Sequence, residues 1–482
     1  MPLVPIELGL RSNVARDSAV GNAQLINCFA DDIGKDAKAP TPIYACDGFA
    51  SFSTLTGAAV VRGMINLDDT LLWVQNGTKL DSVTTGGTAT NRATVSTTGY
   101  AYFAHNRAAT PDVCLVTSDG LTRFMSGTTV STPSFDAGIG ASLFNSVCHH
   151  DGYFVFTKSD GEFYISGIDV TTVDVLDFAT AQAAGDGLVR AVVRGRDLCL
   201  YGTRSLEFWQ NVAATDFPYQ RVHVANFGAY AAPAVVATTA TIDGNITDTV
   251  IWPAVNGLGG FIGVLMLKGY EAVKVSTWGV DNAIRTATKA NIRAYAYPMQ
   301  GQNFYAITDG ANWTYEFNTR TNLWHHRKGA SLAFSRIADA CVFNSGVIFG
   351  DYTSGALYQQ STAATPSGTT SVELRVSRDN GDTWTTARTK SVGTSSERKR
   401  RTKFMRLGQS KEDGFQFEIK ITGSSVENGS NIDMTIIPPP VHAQPYPVQV
   451  HALHVDAIPG VSGTANQRGA IMLHADVTQI GA

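Results

Sequence analysis

Four short stretches carry side chains able to do chemistry. Ser377 to Trp384 reads SRDNGDTW, an Asp-box of the pattern S-x-D-x-G-x-T-W. In such a turn Asp379 and Ser377 cap backbone amides, Gly381 takes a positive φ and Trp384 covers the hairpin, so its chemistry is structural. A glycosidase propeller would carry several boxes inside its repeats together with an acid pair; this chain has one box, outside them, and no recognisable carboxylate pair. CHHD from Cys148 and WHHR from Trp324 line up metal-type side chains. Neighbouring residues of a strand point to opposite faces, however, so neither run can converge on one tetrahedral ion, and WHHR reads as an aromatic strand end with a polar tip. The fourth stretch, ERKRRTKFMR, gathers Arg398, Lys399, Arg400, Arg401, Lys403 and Arg406. On a strand half of these cations face one side, which suits an acidic protein partner or a phosphate backbone. The plain alternative is a solvated edge that discourages strand pairing.

No G-x-S-x-G, H-E-x-x-H or phosphate-binding glycine loop is present, so no catalytic, cofactor or metal residue is expected. The sequons at Asn76, Asn245, Asn312 and Asn428 are what chance supplies in a chain rich in Asn, Ser and Thr. The net charge of -4 gives no general pull toward nucleic acid, which leaves the basic run as the local exception. Six cysteines, at 28, 46, 114, 148, 199 and 341, lie far apart with no C-x-x-C, and are read as reduced, mostly buried thiols. The start, MPLVPIELGLRSNVARDS, lacks the basic and apolar regions of a signal peptide. The apolar window from Ile251 is broken by Pro253, Asn256 and glycines, and reads as two strands around a turn rather than a membrane span.

Something must position these residues, and composition says β-structure. Only 16% of residues are charged, 44% are hydrophobic and 46 are Gly, a balance of short strands and tight turns. From about residue 60 to 360 one unit recurs, an apolar strand, a turn of Gly, Asp or Asn, then a second strand often carrying aromatics. Copies begin at Val61, Asp112, Asp151, Leu188, Thr249, Gly301 and Val347, which makes seven. Intervals of roughly 40 to 55 residues are the length of a four-stranded propeller blade, which cannot bury both sheet faces without neighbours. The expected fold is therefore all-β: an extended segment over residues 1–55, a seven-bladed β-propeller over 56–360, a linker over 361–371, a small β-sandwich over 372–437, and a Pro/Val/His arm over 438–482.

With the repeats laid out, the middle of the chain resembles the tail hub or nozzle proteins of short-tailed, podovirus-type bacteriophages, also called packaged DNA stabilisation proteins. The resemblance rests on an ordered series: DGYFVFTKSDGEFYIS from Asp151, LDFATAQAAGD from Leu176, LCLYGTRSLEFWQN from Leu198 and FPYQRV from Phe217. VSTWGVDNAI from Val275 and GQNFYAITDGANWTYEF from Gly301 follow, ending in Trp324 and Arg327, and then SRDNGDTW with a basic strand and RLG at Arg406. It covers roughly residues 145 to 437. What it implies is a non-enzymatic virion protein made in the host cytoplasm, a homo-hexamer below the portal and its adaptor that retains packaged DNA and later conducts it out. Implied partners are the portal and adaptor, a tail spike, fibre or needle protein, and non-specific contact with viral DNA in the channel. A slightly acidic chain would let DNA slide past. The rival readings are a carbohydrate-active or carbohydrate-binding propeller and a protein-interaction scaffold, although the repeats lack the G-H and W-D signatures of the latter.

Overall fold

The structure is a computed structural model that describes residues 11–16, 22–32, 41–95, 99–133, 135, 139, 144–361, 370–379, 381–393, 400–409, 415–427, 430–439, 448–458 and 470–479. Alternation of apolar and polar residues, interrupted by turns, gives a run of antiparallel meanders. Blade 1 comprises Val61–Leu67, Leu71–Asn76, Lys79–Thr84 and Ala89–Thr94; blade 2 comprises Ala101–His105, Asp112–Thr117, Thr122–Ser126 and Thr129–Ser131. Blade 3 starts at Ser146 and ends at Thr180, and blade 4 runs from Leu188 to Ala225. Blade 5 starts at Phe227 and ends at Lys274, with the long strand Asn245–Asn256 and Phe261–Lys268 as its spine. The uncharged window at Ile251 is thus two strands around a turn. Blade 6 comprises Arg293–Met299, Gln302–Thr308, Thr314–Asn318 and Leu323–His326.

Seven equivalent blades were expected, and the structure corrects this to six that are each built from their own stretch of chain. The last repeat supplies only Ile337–Phe343, Gly346–Asp351 and Ala356–Ser361. Its fourth strand is Gly48–Thr54, paired antiparallel with Ala356–Ser361, so the ring is closed by a sheet shared between distant parts of the chain. The inner strands beginning at Val61, Ala101, Ser146, Leu188, Val236, Arg293 and Ile337 lie side by side in that order, and the last returns to the first. Apolar cores fill every gap between sheets: Trp73, Leu80, Val113 and Leu115 between blades 1 and 2, and Leu55, Val61, Leu72, Ile348 and Leu357 between the closing sheet and blade 1. Burying each such side chain contributes roughly 1.5–3 kcal/mol, and no blade obtains that burial alone.

The terminal segments knit this ring. Asn22–Ile26 pairs with the outer strand of blade 6 and with Ser430–Ile437; the latter pairs with Gln416–Glu427, which touches the closing strand through Glu427 and Phe49. A second sheet holds Cys28–Ala30, Ile43–Ala45, Ala470–Gln479, Val448–Ile458 and, at its edge, Arg400–Gln409. Both sheets bury one face in a common core, with Val372, Leu374 and Val376 from one side meeting Phe404, Leu407 and Leu453 from the other. Residues 372–437 therefore do not close a sandwich by themselves. Their strands divide between two sheets whose other members come from residues 22–45 and 448–479, stretches read from sequence as an extended segment and an arm. All but Ser361, Thr370 and Ser371 of the expected linker lies outside the described residues.

One α-helix, Trp278–Thr286, was not anticipated. It buries Val280 and Ile284, one turn apart, in the core between blades 5 and 6, and Lys274 pairs with Asp281 in its first turn. No described helix is long and apolar enough to cross a membrane.

Candidate functional site

The basic run falls on the free edge of the second terminal sheet. Arg398 and Lys399 lie outside the described residues. Arg400 and Arg401 begin the strand Arg400–Gln409 in register with Ala457 and Asp456. Thr402 and Phe404 point into the core while Lys403 and Met405 face out. A register shift between Met405 and Gly408, with Arg406 at φ +59°, exposes Arg406 as well. Three more cations, not picked out from the sequence, complete the patch. Lys390 Nζ donates to the carbonyl of Lys403 at 2.7 Å, Arg388 Nη1 to that of Met405 at 2.8 Å, and Arg378 Nη2 to that of Leu407 at 3.1 Å. Alternate carbonyls of an edge strand are those a neighbouring strand would bind, so exposed cations occupy the acceptors of the edge. A signal for this existed, since Arg388 and Lys390 show the same i, i+2 spacing as the carbonyls they cover.

The Asp-box sits in the connection between the strands Thr370–Ser377 and Arg388–Gly393. Ser377 Oγ donates to Asp379 Oδ1 at 2.8 Å and accepts from Gly381 N at 2.7 Å, and Thr383 N donates to Asp379 Oδ1 at 2.9 Å. Gly381 adopts φ +101°. The bonds from Thr383 and Ser377 hold the Asp379 carboxyl down at about 2. Trp384, expected to cover the hairpin, is partly exposed.

In CHHD the alternation holds. His150 Nδ1 meets the Tyr219 hydroxyl at 3.0 Å, while His149 stacks edge-on to Phe154 and lies 3.8 Å from Asp169. WHHR differs more from its sequence reading. Trp324, His325 and Arg327 are buried rather than at a polar tip, and His326 is partly exposed. Trp324 Nε1 donates to the Val275 carbonyl at 2.8 Å, and burial presses His326 down to about 3. On the opposite face His325 and Arg327 meet residues from elsewhere in the chain. His325 Nε2 donates to Glu316 Oε2 at 2.8 Å and lies 3.5 Å from Cys46 Sγ, and the Tyr297 hydroxyl donates to Glu316 Oε1 at 2.7 Å. Arg327 donates to the Asp47 carbonyl and stacks on Phe49.

Among the described residues, Cys46, Glu316 and His325 are the one trio of metal-type ligands that converge. Their chemistry is nonetheless that of a buried ion pair. A nucleophile triad needs the two imidazole nitrogens divided between nucleophile and orienting acid, whereas here Nε2 alone faces both partners. The three residues are 1%, 1% and 2% exposed, and the positive charge beside the carboxylate comes from both His325 and Arg327. Burial by itself would lower His325, but Cys46 and Glu316 outweigh it and push the imidazole up to about 9. Burial would likewise raise Glu316, yet the bond from His325 and the charge of Arg327 hold it below its ordinary range. The cluster ties the turn at Cys46 and Asp47, just before the closing strand, to the outer strands of blade 6. All six cysteines are free thiols, four of them buried.

A further groove of about 450 Å³ lies where blade 6 meets the terminal strands, lined by Lys328, Arg375, Lys420, Glu373, Glu418 and Asp433 among others. Lys420 and Asp433 pair across it at 2.7 Å.

With this geometry in view, residues 41–364 match the family model described as bacteriophage P22 Gp10, beta-propeller. The chain belongs to that family. It is accordingly a structural component of a bacteriophage tail, and the matched span runs from the second terminal sheet through the whole ring. No curated protein matches the chain. Among solved structures it is similar to a streptogramin B lyase (12% identity, TM-score 0.44, covering 65% of this chain and 97% of that one). It is also similar to virginiamycin B lyase from Staphylococcus aureus (9% identity, TM-score 0.43, 63% and 96%). A third likeness is to the extracellular domain of a one-component system from B. thetaiotaomicron (10% identity, TM-score 0.44, 69% and 44%).

Proposed function

We propose that the chain is the nozzle of a short-tailed phage: a non-enzymatic protein whose copies form a homo-hexamer below the portal and adaptor, retain packaged DNA and conduct it during ejection. The membership of residues 41–364 in the phage propeller family carries this reading. The architecture supports it, because the terminal strands bind the two ends of the ring into one body suited to bearing load. In this reading the two terminal sheets act as a β-sandwich module, and the basic edge formed by Arg378, Arg388, Lys390, Lys403 and Arg406, with Arg398 to Arg401 beside it in sequence, docks an acidic face of the adaptor or of a neighbouring copy. Spike, fibre or needle proteins attach at the far side. Contact with DNA is non-specific and confined to the passage between copies.

The test uses DNA-filled heads that carry portal and adaptor but lack this chain. Adding the purified protein is expected to protect the genome from nuclease, and Arg388→Glu combined with Arg406→Glu to weaken that protection about tenfold or more by lowering docking affinity. Heads that lose DNA equally with and without the added protein would refute the nozzle. Full protection by the charge-reversed variant would remove the basic edge from the interface.

A further inference from the structure

The inner strands of the ring and two residues beside strand ends, Tyr100 and Tyr352, send an unusual set of side chains toward the axis. Arg62 belongs to blade 1, Tyr100 and Tyr102 to blade 2, Arg190 to blade 4, Arg293 to blade 6, and Asp339 and Tyr352 to the closing sheet. The Arg190 guanidinium lies 3.7 Å from the Tyr102 ring centre, although blade 3 separates their blades. Arg293 lies 4.5 Å from the ring of Tyr352 and 5.4 Å from that of Tyr100, and its Nη1 donates to the Val61 carbonyl at 3.2 Å. Tyr100 and Tyr102 are themselves 5.2 Å apart. Contacts between non-adjacent blades can be made only across the axis, so these groups meet inside the ring's central passage.

Among the described residues, part of the hydrogen-bonding capacity of Arg190, Arg293 and Tyr102 is unmet. Arg190 Nε and Nη1, Arg293 Nε and the Tyr102 hydroxyl are buried atoms that find no acceptor among the described residues. Neither Arg190 nor Arg293 has a carboxylate within ion-pair distance among the described residues. Asp339, an acid whose charge acts on both arginines, is spent on backbone: its carboxylate accepts from Met64 N at 3.0 Å and Ala340 N at 2.9 Å. Burial pushes that acid up to about 6 in spite of these bonds and the two arginines. Arg62, which donates to the Gly99 carbonyl, is lowered by burial and then by the charge of Arg293, a sign of like charges held close. Buried guanidinium donors without acceptors are costly, and the group that satisfies several at once in a positive, aromatic-walled site is an oxyanion.

We propose that the axis of the ring binds one small oxyanion, of phosphate or carboxylate type, through Arg190 and Arg293 with the Tyr102 hydroxyl as a further donor. The anion cross-links blades 2, 4 and 6, and so acts as a fastener of the closed ring.

Thermal unfolding of the full chain in sodium phosphate, sodium acetate and sodium chloride of equal ionic strength tests this. Phosphate is expected to raise the melting temperature by about 2–4 °C over chloride. An equal rise in acetate shows that the site takes carboxylates as well as phosphate, a rise in phosphate alone assigns it to tetrahedral oxyanions, and no rise in either overturns the proposal. Arg190→Gln and Arg293→Gln should each abolish the increment, while Arg388→Gln on the exposed edge keeps it. Should the axial variants not fold, the phosphorus-31 line width of inorganic phosphate titrated with wild-type protein decides: saturation at one site per chain upholds the proposal. Broadening that never saturates, or an increment that survives Arg190→Gln, overturns it and leaves ordered water as the partner of these donors.

Discussion

At the scale of single residues, the most consequential group is one the sequence kept hidden. The Asp-box was legible because its bonds are local, running from Ser377 to Thr383 within one turn. Cys46 and His325 stand 279 positions apart, and nothing in WHHR announces that its odd-numbered members face an acid on the next strand and a thiol near the N-terminus. The pair makes a signed prediction. His325 is raised to about 9, so its contribution is complete below the ordinary histidine value near 6.5 and is lost as pH rises through about 9. Glu316 is lowered, so its contribution is complete above about 4.5 and is lost as pH falls through its depressed folded value. Unfolding free energies from urea titrations should therefore be highest between about pH 4.5 and 6.5 for this pair and fall on going to pH 10, by on the order of 2 kcal/mol. Glu316→Gln should cost about 3–5 kcal/mol at pH 6 and flatten the alkaline limb; an unaltered limb would show that the pair does not govern it. Trp384→Ala should cost about 2–3 kcal/mol by chemical denaturation, because a partly exposed ring loses somewhat less transfer energy than a fully covered one. A loss near 4 kcal/mol would mean the ring is covered after all.

At the scale of elements, strand and turn chemistry were readable and their partners were not. The repeating apolar strand and Gly, Asp or Asn turn marks each blade, since both are local properties. That the strand Gly48–Thr54 closes the ring depends on pairing with residues some three hundred positions away, and residues 1–55 read by themselves only as an extended segment. The helix Trp278–Thr286 escaped notice because its apolar face is only Val280 and Ile284. Close packing of inner strands gives one prediction: a Cβ on Gly63 would stand 2.3 Å from the Ala101 carbonyl oxygen, so Gly63→Ala should cost about 1–3 kcal/mol by forcing blades 1 and 2 apart. A midpoint within error of wild type would contradict that contact. A second concerns the basic edge. With Arg388→Glu and Lys390→Glu the carbonyls of Met405 and Lys403 lose their donors, and concentration-dependent self-association should appear in light scattering while the melting transition holds. A variant as monodisperse as wild type would show that the cations do not guard the edge.

At the scale of the whole molecule, closure is the organising fact. Cores between sheets run right round the ring, and strands from both terminal segments are woven into the outer face of its last two sheets. The side chains of Arg62, Arg190, Arg293 and Tyr102 cross the propeller's own axis, so the proposed DNA passage runs between copies of the chain rather than through any one of them. The propeller was visible in the sequence from spacing alone, and the ordered phrases from Asp151 to Arg406 pointed to the phage family that residues 41–364 match. How copies pack was not visible, because an interface is a property of two surfaces and one chain displays one of them. Copy number in the particle therefore decides. Quantitative mass spectrometry of purified phage, scaled to the portal protein, should find about six of these chains per twelve portal subunits if the nozzle is a closed hexamer. A chain absent from purified particles, or present at a ratio no closed ring can satisfy, would contradict it.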